Sequence, residues 1–72
     1  MVQEVLSVPD VHCEHCIMAI EGAVGALDGV GAVKVDLERK DVTVAYDEDR
    51  VAHDAIVGAI QEEGYEVAGV AG

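Results

Sequence analysis

The sequence contains no phenylalanine or tryptophan, two tyrosines and one proline among its 72 residues. Because aromatic side chains usually anchor a small core, an aromatic content of 3% leaves the core to many small aliphatic residues, chiefly valine and alanine. Burial of such side chains alone gives marginal stability in a domain of this length. A hydrophobic content of 51% nevertheless predicts a folded chain, and we expect a single domain over residues 1–72.

Positive charge is also scarce, since four Lys and Arg residues against fifteen Asp and Glu residues give a formal net charge of -11 at pH 7. So few cations form no basic patch for nucleic-acid phosphates or for an anionic membrane surface. No apolar run approaches the roughly 20 residues of a membrane-spanning helix, and the first residues show no cationic, apolar leader. We therefore expect no nucleic-acid partner, no membrane insertion and a cytoplasmic location.

Hydrophobic periodicity predicts four strands and two helices. The strands are expected at 5–8, 33–37, 42–46 and 65–67. The helices are expected at 15–27 and from the acidic run 47–49 to a stop at Gly64. The order β-α-β-β-α-β predicts an α+β fold, the ferredoxin-like βαββαβ sandwich, in which a four-stranded antiparallel sheet carries both helices on one face.

The two cysteines, Cys13 and Cys16, are too few for a disulfide framework and lie in the run HCEHC at 12–16, where the first helix begins. At a helix start, residues three apart face the same end, about 5 to 6 Å from each other. The free amides there stabilise one thiolate. A second thiolate about 4 Å away costs on the order of 4 kcal/mol at an effective dielectric constant of 20. A cation between the sulfurs removes this repulsion, so the spacing predicts a metal site.

The number of available ligands favours copper(I) at this site. Structural zinc needs four donors at about 2.0 to 2.3 Å. His12 and His15 each neighbour a cysteine, and we expect their side chains to point elsewhere. Two soft thiolates remain, and two metal–sulfur bonds of about 2.2 Å span roughly 4.4 Å, which this spacing can reach. Such an open site also suits ligand exchange with an incoming thiolate, and therefore carriage of the metal rather than storage.

At these residues the sequence resembles the heavy-metal-associated (HMA) domain family, and most closely its small bacterial copper chaperones of the CopZ type. The resemblance covers nearly the whole chain and is carried by the run at 12–16, Ala19-Ile20, Gly29-Val30, the alternation at 33–37 and Gly64-Tyr65. It implies that Cys13 and Cys16 bind the metal. It also implies that copper is donated to a copper-transporting P-type ATPase bearing domains of the same fold.

The resemblance places further residues around the metal. Tyr65 falls where bacterial members have a tyrosine in the loop beside the metal, and His15 precedes the second cysteine as in several bacterial copper chaperones. Val11 stands where the family usually has a methionine that packs the loop onto the core, and Asp10 where it has glycine. Because valine reaches less far than methionine, and aspartate tolerates a positive φ less well than glycine, we expect a looser loop.

Several alternatives remain open. The same cysteines could bind Zn(II) or Cd(II), although His12 replaces the acidic residue that zinc-type members often place before the first cysteine. The chain could be an excised ATPase metal-binding domain, and two chains could share copper as a homodimer. A thioredoxin-type dithiol oxidoreductase is disfavoured. Such sites need a proline that follows the cysteines in the chain, whereas the only proline here, Pro9, precedes them. We expect a copper(I) chaperone that is not an enzyme.

Overall fold

The computed structural model describes residues 1–71 and has the predicted element order β-α-β-β-α-β. Strands β1 to β4 span Val2–Ser7, Val30–Asp36, Asp41–Tyr46 and Gly69–Val70, and helices α1 and α2 span Glu14–Gly25 and His53–Glu62. The strands form one antiparallel sheet in the order β2-β3-β1-β4. The ferredoxin-like sandwich predicted from the periodicity is confirmed. Within residues 1–71, neither helix is long and apolar enough to cross a bilayer.

The core lies between the sheet and the two helices and is built from small aliphatic side chains. Its fully buried aliphatic members are Leu6, Val8, Val11, Ile20, Val24, Val42, Val44, Ile56 and Ile60. Each such side chain contributes about 1.5 to 3 kcal/mol by burial, so their number replaces the aromatic anchors that the sequence lacks. Val8 and Val11 extend the core beyond the end of β1, beneath the loop that leads into α1.

The last strand lies later in the chain than the prediction of 65–67. The carboxylate of Asp10 accepts the main-chain N–H of Glu66 at 3.1 Å, which holds this segment against the loop before α1. Pairing with β1 is reached only where the N–H of Ala68 donates to the carbonyl of Ser7 at 2.8 Å. The predicted strand at 65–67 is therefore wrong, because a side-chain contact from a distant loop takes the place of the ladder.

Helix α2 begins at His53 and not at the acidic run 47–49. The side chain of Asp47 accepts the N–H of Asp49 at 3.0 Å, and its carbonyl accepts the N–H groups of Arg50 and Val51, both at 3.0 Å. Aspartate competes for nearby backbone donors in this way, so the acidic run forms a turn that precedes the helix.

The other elements lie where the periodicity predicts them, with ends that differ by at most three residues. Strand β1 already begins at Val2 because Gln3 and Glu4 pair with β3 in spite of their low strand propensity. Helix α1 ends at Gly25, and Leu27 follows in a turn, its N–H donating to the carbonyl of Val24 at 3.1 Å.

Candidate metal centre

Residues 8–13, the metal loop, connect β1 to α1 and bring both cysteines to the start of the helix. Cys13 is the N-cap residue, with an extended backbone (φ -154°, ψ 171°), and its carbonyl accepts the N–H of Cys16 at 3.0 Å. Cys13 is half-buried, whereas Cys16 in the first turn is only 2% exposed. The two Sγ atoms lie 3.7 Å apart, so the structure brings both thiols to one end of α1.

The thiol of Cys16 has a lowered pKa, because hydrogen bonds shift it from the ordinary value of 9.0 to about 6. The largest cause is the hydroxyl of Tyr65, followed by the main-chain N–H of His12. Burial opposes this shift, and the N–H and the thiol of Cys13 add to it. The contact with the Cys16 thiolate also raises the pKa of Tyr65 to about 12, since the phenol must keep its proton in order to donate it.

His12 lies beside the thiols, contrary to the expectation that it points elsewhere. His12, Cys13 and Cys16 each offer one ligand atom, and these atoms lie within 4.8 Å of one another. The Nδ1 atom of His12 is 2.8 Å from the carbonyl of Asp10 and 3.9 Å from the Cys16 sulfur. Because a carbonyl only accepts, Nδ1 carries a proton, and Nε2 is the nitrogen left for a metal. The expectation failed because it assumed helical geometry, whereas His12 precedes the helix.

His15 occupies a different position from His12. It is exposed on the first turn of α1, and across residues 1–71 no hydrogen bond joins it to either sulfur. Neighbouring residues on a helix point about 100° apart, so the burial of Cys16 turns His15 outward. The structure therefore does not bring His15 to the thiols.

Val11 and Asp10 hold the metal loop in place. Val11 is completely buried, its N–H donates to the carbonyl of Val8 at 3.2 Å, and its own carbonyl accepts the ammonium of Lys40 at 2.9 Å. Asp10 holds Glu66 through its carboxylate at 3.1 Å. Among the non-glycine residues of 1–71, Lys40 alone has a positive φ, so Asp10 does not need the conformational freedom of glycine. Both residues therefore attach the loop to the rest of the fold, and the looser loop expected from them stays a prediction.

The spacing of the sulfurs limits how a metal can bind between them. Two bonds of about 2.2 Å in a straight line need a span of about 4.4 Å, which is about 0.7 Å more than the 3.7 Å observed. The side chain of Cys13 makes no capping hydrogen bond to α1, so its sulfur can move outward without breaking the helix. The pair can therefore hold a two-coordinate ion after a small rotation, or a bent three-coordinate one at its present spacing.

The fold and the paired cysteines agree with comparison to known proteins. The model of the heavy-metal-associated domain matches residues 5–66, and the chain therefore belongs to that family. The chain is 47% identical to the copper chaperone CopZ of Bacillus subtilis (strain 168) over 68 residues, which cover 94% of this chain and 99% of that protein. The resemblance to this family and to its CopZ type is thereby confirmed.

Solved structures give the same assignment. A CopZ metallochaperone superposes with a TM-score of 0.91 at 40% sequence identity, covering 93% of this chain and 100% of that one. A copper binding domain from a P-type ATPase superposes with a TM-score of 0.88 at 23% identity, covering 100% of both chains. At that identity the second likeness concerns the fold alone, which this chain and the ATPase domain have in common.

Proposed function

We propose that this protein is a cytoplasmic copper(I) chaperone and not an enzyme. It holds one Cu(I) ion as cargo between the sulfurs of Cys13 and Cys16 and passes it by ligand exchange to a metal-binding domain of a copper-transporting P-type ATPase. The observation that carries the proposal is a pair of sulfurs 3.7 Å apart at a helix start, where the pKa of one thiol is lowered to about 6. The similarity to CopZ copper chaperones supports it.

Loading of the site requires the loss of one proton at neutral pH. Cys16 is already ionised there, because its pKa is about 6. The pair releases its remaining proton as Cu(I) arrives, since the cation removes the repulsion that two bare thiolates would feel. Two thiolates around one monovalent cation leave the site with a single negative charge.

Transfer proceeds through attack by a thiolate of the partner domain. The partner sulfur bonds to Cu(I) from the exposed side, and a three-coordinate intermediate forms before one of the original bonds breaks. Cys13 leaves first, because it is half-buried and makes no cap to the helix. Cys16 leaves last, because it is 2% exposed and is held by Tyr65.

Zn(II) is the second candidate cargo, and Cd(II) would bind through the same donors. The position of His12 is the observation that supports this candidate. Its imidazole and the two sulfurs give three donors within 4.8 Å, one fewer than tetrahedral zinc requires. In the observed conformation the Nδ1 proton of His12 is engaged with Asp10, and binding would have to use Nε2. Two soft sulfurs alone satisfy Cu(I), so copper needs no rearrangement of the imidazole.

The binding step is tested by a Cys13→Ala, Cys16→Ala double variant in anaerobic competition with bathocuproine disulfonate. The unmodified chain is expected to take up one Cu(I) per chain, and the double variant to lose tight binding. Met18→Leu serves as the matched control, because it removes a sulfur that is 73% exposed outside the site and should leave binding unchanged. Equal copper uptake by the double variant would refute the assignment, and displacement of Cu(I) by Zn(II) would favour the second candidate.

The transfer step is tested by mixing the loaded chain with the metal-binding domain of a copper-transporting P-type ATPase. After separation by ion exchange, copper is expected on both proteins in proportions set by their affinities. Sedimentation of the loaded chain shows whether two copies share the metal as a homodimer. Retention of all copper by this chain despite an acceptor of higher affinity would indicate storage and not carriage.

A further inference from the structure

One side chain reaches the metal loop from a distant part of the fold. Lys40 lies in the turn between β2 and β3, and its ammonium donates to the carbonyl of Val11 at 2.9 Å. The carbonyl of Lys40 accepts the N–H of Val8, also at 2.9 Å. A single residue therefore holds the metal loop at its first residue and again just before the cysteines.

Lys40 adopts a conformation that a lysine rarely takes. Its φ is +57°, and it is the one non-glycine residue with a positive φ in the part of the chain that the structure describes. The left-handed region places Cβ too close to the backbone, and glycine is the residue that enters it without strain. Glycine would make the same turn more easily but would lack the ammonium. Lysine at this position therefore supplies a contact that glycine could not make, in spite of the strained φ.

The carbonyl that Lys40 holds belongs to the peptide unit that ends at the nitrogen of His12. Fixing the Val11 carbonyl therefore fixes the direction of the His12 N–H, which belongs to the same planar unit. His12 also carries the imidazole whose Nδ1 lies 3.9 Å from the Cys16 sulfur, and Cys13 follows it directly in the chain. The buried side chain of Val11 and the ammonium of Lys40 thus hold this peptide from its two sides.

We propose that Lys40 is a positioning residue for the metal loop. Its ammonium fixes the Val11 carbonyl and so holds His12 and Cys13 beside the Cys16 sulfur, which slows the escape of Cu(I) from the pair. The inference deepens the proposed function and rests on Cu(I) binding by Cys13 and Cys16.

Four variants separate this role from simple support of the fold. Lys40→Gly removes the ammonium and relieves the strained φ, whereas Lys40→Met removes the ammonium and keeps the strain. Lys40→Arg retains a cationic donor on a long side chain. Lys34→Met is the matched control, because it removes the same charge from an exposed position on β2.

Two of the measurements on each variant report on the metal loop directly. The first is the rate at which bathocuproine disulfonate removes Cu(I) from the loaded chain. We expect it to rise about tenfold in Lys40→Gly and Lys40→Met, the scale of one lost hydrogen bond to a charged group. We expect Lys40→Arg to stay near the unmodified rate and Lys34→Met to match it. The second is amide hydrogen exchange of His12 without copper, which should accelerate in the same two variants.

Thermal unfolding distinguishes positioning from stability. Lys40→Gly is expected to unfold at or above the temperature of the unmodified chain, because the strain is relieved, and yet to release copper faster. Copper release at the unmodified rate from folded Lys40→Gly would overturn the proposal and leave the proposed function intact. Equal acceleration in Lys34→Met would also overturn it, since charge alone would then be the cause. If the unmodified chain binds no Cu(I), the proposed function fails, and His12 exchange still decides whether Lys40 positions the loop.

Discussion

The two helices begin in the same way but use their first turns differently. The N-cap residues are Cys13 in α1 and Ala52 in α2; both have an extended backbone, and neither makes a side-chain hydrogen bond to its helix. N-cap positions usually carry Ser, Thr, Asp or Asn, whose oxygen accepts an N–H of the first turn. Each helix therefore lacks the same stabilising contact at its start.

The polar groups around α2 are satisfied within the fold. Nδ1 of His53 hydrogen bonds to one carboxylate oxygen of Glu4, and the other oxygen accepts the hydroxyl of Tyr46 at 3.2 Å. Burial, followed by the charge of Glu4, raises the pKa of Tyr46. Beside α1, by contrast, the Tyr65 hydroxyl and main-chain N–H groups of the metal loop lower the pKa of Cys16, whose sulfur can bind a metal. The two helix starts therefore differ in what the neighbouring donors face, which is a carboxylate of the fold at α2 and a sulfur that can bind a metal at α1.

The largest expected effect comes from giving α1 the cap that it lacks. In Cys13→Ser, the Ser oxygen can accept an N–H of the first turn, so the metal-free chain should gain about 0.5 to 1 kcal/mol in its free energy of unfolding. Cu(I) affinity should fall by at least about 1,000-fold, or roughly 4 kcal/mol, because the soft ion loses a thiolate. Urea unfolding and bathocuproine competition measure the two effects. Unchanged affinity would remove Cys13 from the site, and unchanged stability would show that α1 does not lack a cap.

The next effect concerns the hydroxyl that acts on Cys16. Tyr65→Phe removes the largest cause of the lowered pKa, so the pKa of Cys16 should rise from about 6 towards 9.0. A thiol whose pKa is lower in the folded than in the unfolded state stabilises the fold. This stabilisation is complete above the pKa of the unfolded state and is lost as the pH falls to the pKa of the folded state. For Cys16 it is lost between pH 9.0 and about 6, and the loss should be smaller in Tyr65→Phe. The rate of alkylation by iodoacetamide as a function of pH measures the titration.

Copper binding should follow the same titration. Below about pH 6, a proton also competes for Cys16, and this should weaken Cu(I) binding by a further factor of about ten for each pH unit. In Tyr65→Phe this loss should begin at a higher pH. Tyr46→Phe is the matched control, because its hydroxyl bonds to Glu4 and should leave the Cys16 titration unchanged. Identical profiles for Tyr65→Phe and the unmodified chain would show that the hydroxyl does not act on Cys16.

The fold could be predicted wherever local periodicity agrees with burial. In β3 the alternation of Val42, Val44 and Tyr46 matches their burial on one face of the sheet. The last strand was predicted at the wrong residues. Residues 65–67 alternate as a strand would, but the N–H of Glu66 is bound by Asp10, 56 positions earlier in the chain. Strand β4 itself has two residues, too few to produce a pattern.

The candidate site, like the fold, could be predicted only where local spacing determines it. The meeting of Cys13 and Cys16 follows from their spacing at a helix start, and one easily formed thiolate was expected there. The lowered pKa of Cys16 depends on Tyr65, and how the loop is held depends on Lys40, 29 positions from Val11. Contacts between distant parts of the chain leave no trace in local spacing. The sequence signal that could have suggested Lys40 is the absence of glycine from a tight turn between two strands.

The smallest expected effect concerns the start of α2. Ala52 has the extended backbone of an N-cap (φ -85°, ψ 151°) and is exposed, so Ala52→Ser should place an oxygen within reach of the first-turn amides. The free energy of unfolding should rise by about 0.5 to 1 kcal/mol in urea, and copper binding should not change. Ala55→Ser is the control, since the same substitution inside the helix should destabilise it by about 0.5 kcal/mol. Cys13→Ser could raise the free energy of unfolding while Ala52→Ser does not. The two helix starts would then differ in backbone geometry and not in the side chains they carry, and the comparison between them would be wrong.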